Sequence, residues 1–322
     1  VLSYPLVATT LAFYNDKSDV YNYYLVASVI IASMALIITS FMSFIVAFAS
    51  VDYLHDRTIV DMAYSLPIST KQRFWGDFLA GATVTSMPYI LSSVIGIVIY
   101  NFAYYNHQEI FGSVPPAHVF SYMVTGLVII LMVYILTIFV SMLCGSKVEA
   151  VIYSFMINAI IPAVLAIAAS SIYVSVYGVN YGEIIQKLIS TTSPIGLIIG
   201  TVINLASSVY SGFPTAYVYS PRIFIPIIAF FGLLVAASYY LNKKRRAELV
   251  GSPFVYGFAY HVFMTLNIYI FVGLFVMGIY NTKQAEARTP IIIAMLVITF
   301  VDFVIFDVIK NRGFRKFQYT IL

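Results

Sequence analysis

Seven apolar runs, each about twenty residues or longer, divide this chain: Tyr23–Ser50, Phe78–Phe102, Val119–Gly145, Val148–Val176, Arg222–Leu241, Tyr260–Tyr280 and Pro290–Ile309. A helix rises about 1.5 Å per residue, so roughly 20 residues cover the roughly 30 Å hydrocarbon layer of a bilayer. Backbone N–H and C=O groups in lipid must find partners within the spanning segment or a closed barrel, and runs this long and unbroken are helical. The composition agrees: the 322 residues are 61% hydrophobic and 9% charged, with a mean hydropathy of +0.94, more apolar surface than one soluble core can hide. The expected class is all-α, a polytopic membrane helical bundle of about seven transmembrane helices.

An eighth apolar stretch, Ile184–Val209, is broken by Thr191-Thr192-Ser193-Pro194 and carries Gly196, Gly200 and Asn204. Lys and Arg gather in cytoplasmic loops, so their distribution tests its topology. If the stretch dips in and returns, Arg57, Lys71, Arg73, Lys147, Lys243–Arg246, Lys310, Arg312, Arg315 and Lys316 lie inside, a split of 12 to 5; a full crossing gives 7 inside and 10 outside. The expectation is a re-entrant or interfacial helical segment, with Asn242–Arg246 as a cytoplasmic stop after the fifth span. The polar connector Ala247–Pro253 then separates a unit at 1–246 from two added spans and a basic end at 247–322.

Several chemistries find no carrier. Cys144 is the lone cysteine, and His55, His107, His118 and His261 show no metal-ligand spacing. No Gly-Lys pair occurs, so a phosphate-cradling loop ending in Gly-Lys is absent. Catalytic, cofactor-binding and metal-binding residues are accordingly expected to be none.

The informative polar segment is Leu54–Gly81, between the first two runs. Ile59, Val60, Ala63 and Leu66 recur at helical spacing, which predicts a short amphipathic helix over Arg57–Ser65, ended by Pro67. Ser69 followed by Gln72 fits a capping box, so a second helix starts at Thr70 and runs through Trp75 into the next span. Two readings suit these residues. One is an interfacial anchor, with Tyr64, Phe74 and Trp75 at headgroup level and Lys71 and Arg73 snorkelling; the other is a relay that receives a push from a cytoplasmic partner.

The run His55-Asp56-Arg57, Val60-Asp61, Ser65-Leu66-Pro67-Ile68-Ser69, Arg73-Phe74 and Gly76-Asp77-Phe78-Leu79 resembles the first cytoplasmic loop of ABC transporter permeases of the type-2 (type V exporter) class, especially those of Gram-positive bacteria. The resemblance implies a permease subunit of an ATP-driven exporter in the cell membrane, multi-pass and bacterial. It would pair with a second permease as a homo- or heterodimer, and separate cytoplasmic ABC ATPase subunits would bind the ATP and Mg. The short helix would be the coupling helix, with Arg57, Asp61, Lys71 and Arg73 as polar contacts to the ATPase and Tyr64 and Leu66 as apolar anchors. Tyr23–Ser50 would be the family's second span, Ile184–Val209 its re-entrant helices and Arg222–Leu241 its sixth span. The family's first span is missing here and two further spans follow, so the natural protein is expected to extend beyond this sequence at both ends. An amphipathic cargo, whether peptide, drug or lipid, suits a path rich in the 27 Tyr and 25 Phe.

The competing class is an ion- or proton-coupled secondary transporter, which needs ionisable groups at membrane depth. Its candidates are Asp302 and Asp307 in the last span, with His261 and Asn267 in the span before. Asp302 lies about 12 Å inside the end of its span at 1.5 Å per residue, and a hydrogen bond to a Tyr or Asn of a neighbouring helix accounts for it equally well. A membrane scaffold without transport is a third reading.

Overall fold

A computed structural model describes residues 19–106, 116–175, 193–210, 221–245, 250–252 and 254–281, together with 288–311. The N-terminal segment with Asp16 and Lys17, residues 107–115, the first part of the eighth apolar stretch, Arg246, Pro253, Lys283 and the basic end from Arg312 lie outside the described residues. So do the side chains of Asn204, Asp307 and Lys310.

The described residues form nine α-helices and no strand: α1 (Asp19–Val51), α2 (Arg57–Ser65), α3 (Thr70–Asn106), α4 (Pro116–Leu143), α5 (Lys147–Ser175), α6 (Pro194–Tyr210), α7 (Pro221–Lys244), α8 (Gly257–Asn281) and α9 (Arg288–Asn311). Six of them, α1, α3, α4, α5, α7 and α8, are long and apolar enough to cross a membrane. In α9 the apolar stretch Thr289–Ile305 is shorter. The protein is a membrane-type helical bundle.

Local signals set several boundaries. Ser69 N–H donates to Gln72 Oε1 at 3.2 Å while Gln72 N–H donates to Ser69 Oγ at 3.2 Å, the reciprocal capping box that opens α3. The interruption at Thr191–Pro194 is a helix start: Ser193 Oγ accepts from Gly196 N–H at 3.3 Å, and Pro194 occupies the first helical position, where its missing N–H costs nothing. At 17 residues, α6 is shorter than a full span.

The helices gather into two compact units. The first holds α1, α3, most of α4, α6 and most of α7. Here α1 packs against α3 and α6, and Ser43 Oγ donates to Ile130 O of α4 at 2.7 Å. The α3–α4 contact is built from two reciprocal notches. Tyr134 of α4 lies over Gly81 of α3 and donates to Phe78 O at 2.9 Å; Tyr89 of α3 lies over Gly126 of α4 and donates to Met123 O at 3.0 Å. In both cases the hydroxyl reaches the carbonyl three residues before the facing glycine, and the register runs antiparallel. Missing side chains let the rings approach the opposite backbone, the use small residues find in membrane bundles. At one end of this unit Tyr134, Phe78, Phe74 and Tyr239 form a ladder with centroid spacings of 5.6, 5.9 and 5.6 Å, and Trp75 lies beside it.

The second unit holds α2 with the 3₁₀ turn Asp52–His55 before it, the last turn of α4, α5, the end of α7, α8 and α9. α8 packs on both α9 and α5, and Gly273 of α8 meets Ile167 of α5 with no room for a side chain between them. Tyr153 packs on Phe254 at 4.6 Å and on Phe263 at 5.0 Å.

Candidate functional site

The segment singled out from the sequence folds as expected at both of its helices. Asp56 caps α2, its Oδ1 accepting from Thr58 N–H at 3.0 Å and its carbonyl accepting from Val60 N–H at 2.9 Å. At the other end Leu66 is extended, with ψ 141°, as a residue before proline must be. The apolar stripe divides differently from expectation. Of Ile59, Val60, Ala63 and Leu66 only Val60 is buried, at 1% exposure; Ile59, Met62 and Leu66 stand exposed, Met62 at 69%, with Asp61 and Tyr64 among them. α2 therefore keeps one anchor inside and turns a mixed apolar and acidic surface outward.

The six residues expected to meet an ATPase fall into both units: Arg57, Asp61, Tyr64 and Leu66 belong to the second, Lys71 and Arg73 to the first turn of α3 in the first. Arg57 has an internal role, since its Nε donates to Val250 O at 3.2 Å.

Arg245 changes the reading of the basic stop. Rather than meeting solvent or lipid headgroups with its neighbours, it is buried at 6% exposure and acts as a clasp. Its Nη1 donates to Ser141 O and Met142 O, both at 3.2 Å, and its Nη2 donates to Leu54 O at 2.7 Å. Ser141 and Met142 lie in the last turn of α4, where carbonyls lack intrahelical N–H partners and a cation complements the helix dipole. His55 Nε2 sits 3.2 Å from Ser141 O, and since a carbonyl only accepts, that nitrogen carries the proton. The chain after Arg245 completes the cap: Val255 N–H donates to Leu143 O at 2.8 Å and Gly251 N–H to Gly145 O at 2.7 Å. Gly251 has φ +90°, a conformation a side chain would strain. The sequence signal for Arg245 was slight, because one arginine among four consecutive basic residues carries no mark of burial. Half-exposed Lys147 and Asp52 pair at 2.8 Å nearby, a contact of little energetic weight.

Burial pulls the Arg245 guanidinium down from its ordinary value, opposed by neighbouring Tyr64, Cys144, Tyr256 and Tyr53. Burial pushes the Cys144 thiol well up, while Arg245 draws it down to a lesser degree. The thiolate is the reactive species, and a raised thiol is protonated at pH 7 to 8. Cys144 in the folded, detergent-solubilised protein should therefore resist maleimide at neutral pH and label stoichiometrically after SDS unfolding; rapid labelling of the folded protein would contradict its burial.

Asp302, expected from the sequence to lie at membrane depth, is paired. Asn267 Nδ2 of α8 donates to Asp302 Oδ1 of α9 at 2.7 Å, the inter-helix hydrogen bond expected of such a carboxyl, while Asp302 Oδ2 is buried with no hydrogen-bond partner among the described residues. His261 takes no part in that bond: it is six residues back along α8, roughly 120° round the helix, exposed and edge-on to Tyr260 at 5.2 Å.

Comparison with protein-family models, curated proteins and solved structures gave no match.

Proposed function

We propose that this chain is the membrane-spanning permease subunit of an ATP-driven ABC exporter in a bacterial cell membrane. Two permeases pair, two cytoplasmic ATPase subunits bind and hydrolyse Mg-ATP, and an amphipathic peptide, drug or lipid is moved outward. The observation that carries this reading is α2: a short helix, capped at Asp56, stopped at Leu66-Pro67 and anchored by Val60, that presents Ile59, Asp61, Met62, Tyr64 and Leu66 to a partner. Apolar side chains rimmed by charge suit a protein groove better than lipid, where Asp61 would be costly. Nucleotide-driven closure of the ATPases would displace α2, and the cavity between the paired permeases would rearrange in response.

The test is a pull-down from the native membrane of the full-length protein, intact or carrying Asp61→Lys with Met62→Glu, followed by an ATPase assay of the eluate. Both positions face outward, so the double substitution leaves the described packing untouched. Nucleotide hydrolysis should co-purify with the intact protein and fall at least about tenfold with the variant, the loss expected when a central contact worth about 1.4 kcal/mol or more is removed.

One observation favours the coupled carrier instead, the buried Asp302 Oδ2 with no hydrogen-bond partner among the described residues, which has capacity for a proton or a cation. Absence of ATPase activity from both eluates, with proton-dependent uptake in vesicles abolished by Asp302→Asn, would establish that reading in place of the exporter.

A further inference from the structure

The hydrogen bonds around Arg245 join parts of the chain that the sequence keeps far apart. Leu54, just before α2, Ser141 and Met142 at the end of α4, and Arg245 at the end of α7 meet at one guanidinium. Arg57, the first residue of α2, holds Val250 O, and the neighbouring Gly251 and Val255 hold Gly145 and Leu143 before the chain enters α8 at Gly257. Tyr256 Oη adds a bond to Leu241 O at 2.7 Å. α8 in turn is packed on α5 and α9 and bonded to α9 through Asn267 and Asp302. All of these residues belong to one compact unit.

We infer that Arg245 is a positioning residue that fixes α2 to the head of α8, so that α2 and the α8–α9 pair move as one lever when a cytoplasmic partner displaces α2. The guanidinium suits this task because its planar fork serves carbonyls from two segments at once with little loss of freedom per bond, which an ammonium cannot reproduce. Buried, it is also shielded from competing water. The two helices that follow the connector, α8 and α9, are thereby part of the moving machinery rather than an attachment to it. The identity of the partner that pushes rests on the exporter reading above; the linkage itself does not.

Spin labels test the linkage directly. In a Cys144→Ala background, labels are attached at Met62→Cys on α2 and Val262→Cys on α8, both exposed positions of this unit. Without nucleotide or partner, the electron–electron distance between them should be a single narrow peak. Arg245→Lys and, separately, Arg57→Ala should broaden or split it, while a control pair at Ile37→Cys and Leu91→Cys stays narrow, showing that the variants fold. When an ATPase co-purifies, the 62–262 distance should remain fixed on adding ATP in the parent and become nucleotide-dependent in Arg245→Lys, which still captures the ATPase because the outward face of α2 is unchanged. A parent distribution that is already broad, or one indifferent to both substitutions, would overturn the inference. Failure to capture an ATPase would overturn only the exporter reading, since the first measurement needs no partner.

Discussion

Gly126→Val should destabilise the protein by about 1–3 kcal/mol, and Gly81→Val by a similar amount, the range seen when side chains are forced into filled space. A Cβ on Gly126 would lie 2.9 Å from Tyr89 Cζ, closer still to its hydroxyl oxygen, and 3.2 Å from Leu36 Cδ1. A Cβ on Gly81 would lie 2.9 Å from Tyr134 Cζ and closer to the hydroxyls of Tyr134 and Ser50. A ring can relieve such a clash by swinging away, but both rings are buried and each is tied by its hydroxyl to the facing helix. Movement would therefore cost a hydrogen bond as well as packing, whereas Tyr134→Phe alone forfeits only the bond, about 0.5–1.5 kcal/mol.

Trp75, the lone tryptophan, is packed against Phe74 and Phe78 in the same unit and reports its unfolding by fluorescence during SDS titration. The midpoint should fall for each valine variant. Pairing Gly126→Ala with Tyr89→Leu should be less damaging than the two single losses added together, because the smaller side chain makes room for the new methyl group. Strict additivity would show that the notch is not where the strain arises.

The helices were legible because their signals are local. Long apolar runs, the Ser69–Gln72 box and Leu66-Pro67 each act through neighbouring residues; helices cover the runs within the described residues and helix ends lie at the box and the proline, whereas Ser193-Pro194, read from the sequence as a break, is a helix start. The Tyr–Gly notches were only half visible: Gly81 to Tyr89 and Gly126 to Tyr134 share one spacing, with a Met two residues before each Tyr, yet spacing within a span cannot say which helix it faces. For Asp302 the hydrogen bond to an Asn was open to sequence reasoning, since a carboxyl at that depth needs a donor and few polar side chains were available. Arg245 was not. Its burial depends on the end of α4 offering uncapped carbonyls beside Leu54, residues roughly a hundred and two hundred positions away in the chain, as the separations of its hydrogen bonds show. Basic residues at the end of a span read as a stop because most of them are one, and nothing in Asn242–Arg246 distinguishes the member that turns inward.

Arg245→Met should lower stability by about 2–4 kcal/mol, because Met142 O and Leu54 O would lose this donor at about 1–3 kcal/mol for each that finds no replacement, offset in part by relief from burying a charge, while Ser141 O keeps the His55 Nε2 donor. Arg245→Lys should cost less, since an ammonium keeps the charge at the end of α4 and serves one or two of the three acceptors. Cys144 lies beside this clasp and reads it out: maleimide labelling during an SDS titration should begin earlier in the methionine variant than in the parent, with lysine between them. The chemistry leaves one explanation for faster labelling. Arg245 draws the Cys144 thiol down towards its thiolate, so removing it makes the thiol less reactive, and a rate that rises nonetheless measures exposure. If instead the methionine variant labels later, and still does so at a higher pH that offsets its less reactive thiol, the buried charge costs more than its three bonds return, as replacement of other buried ionic groups by apolar side chains has shown can happen; the clasp would then be retained for the position it gives α2 rather than for stability.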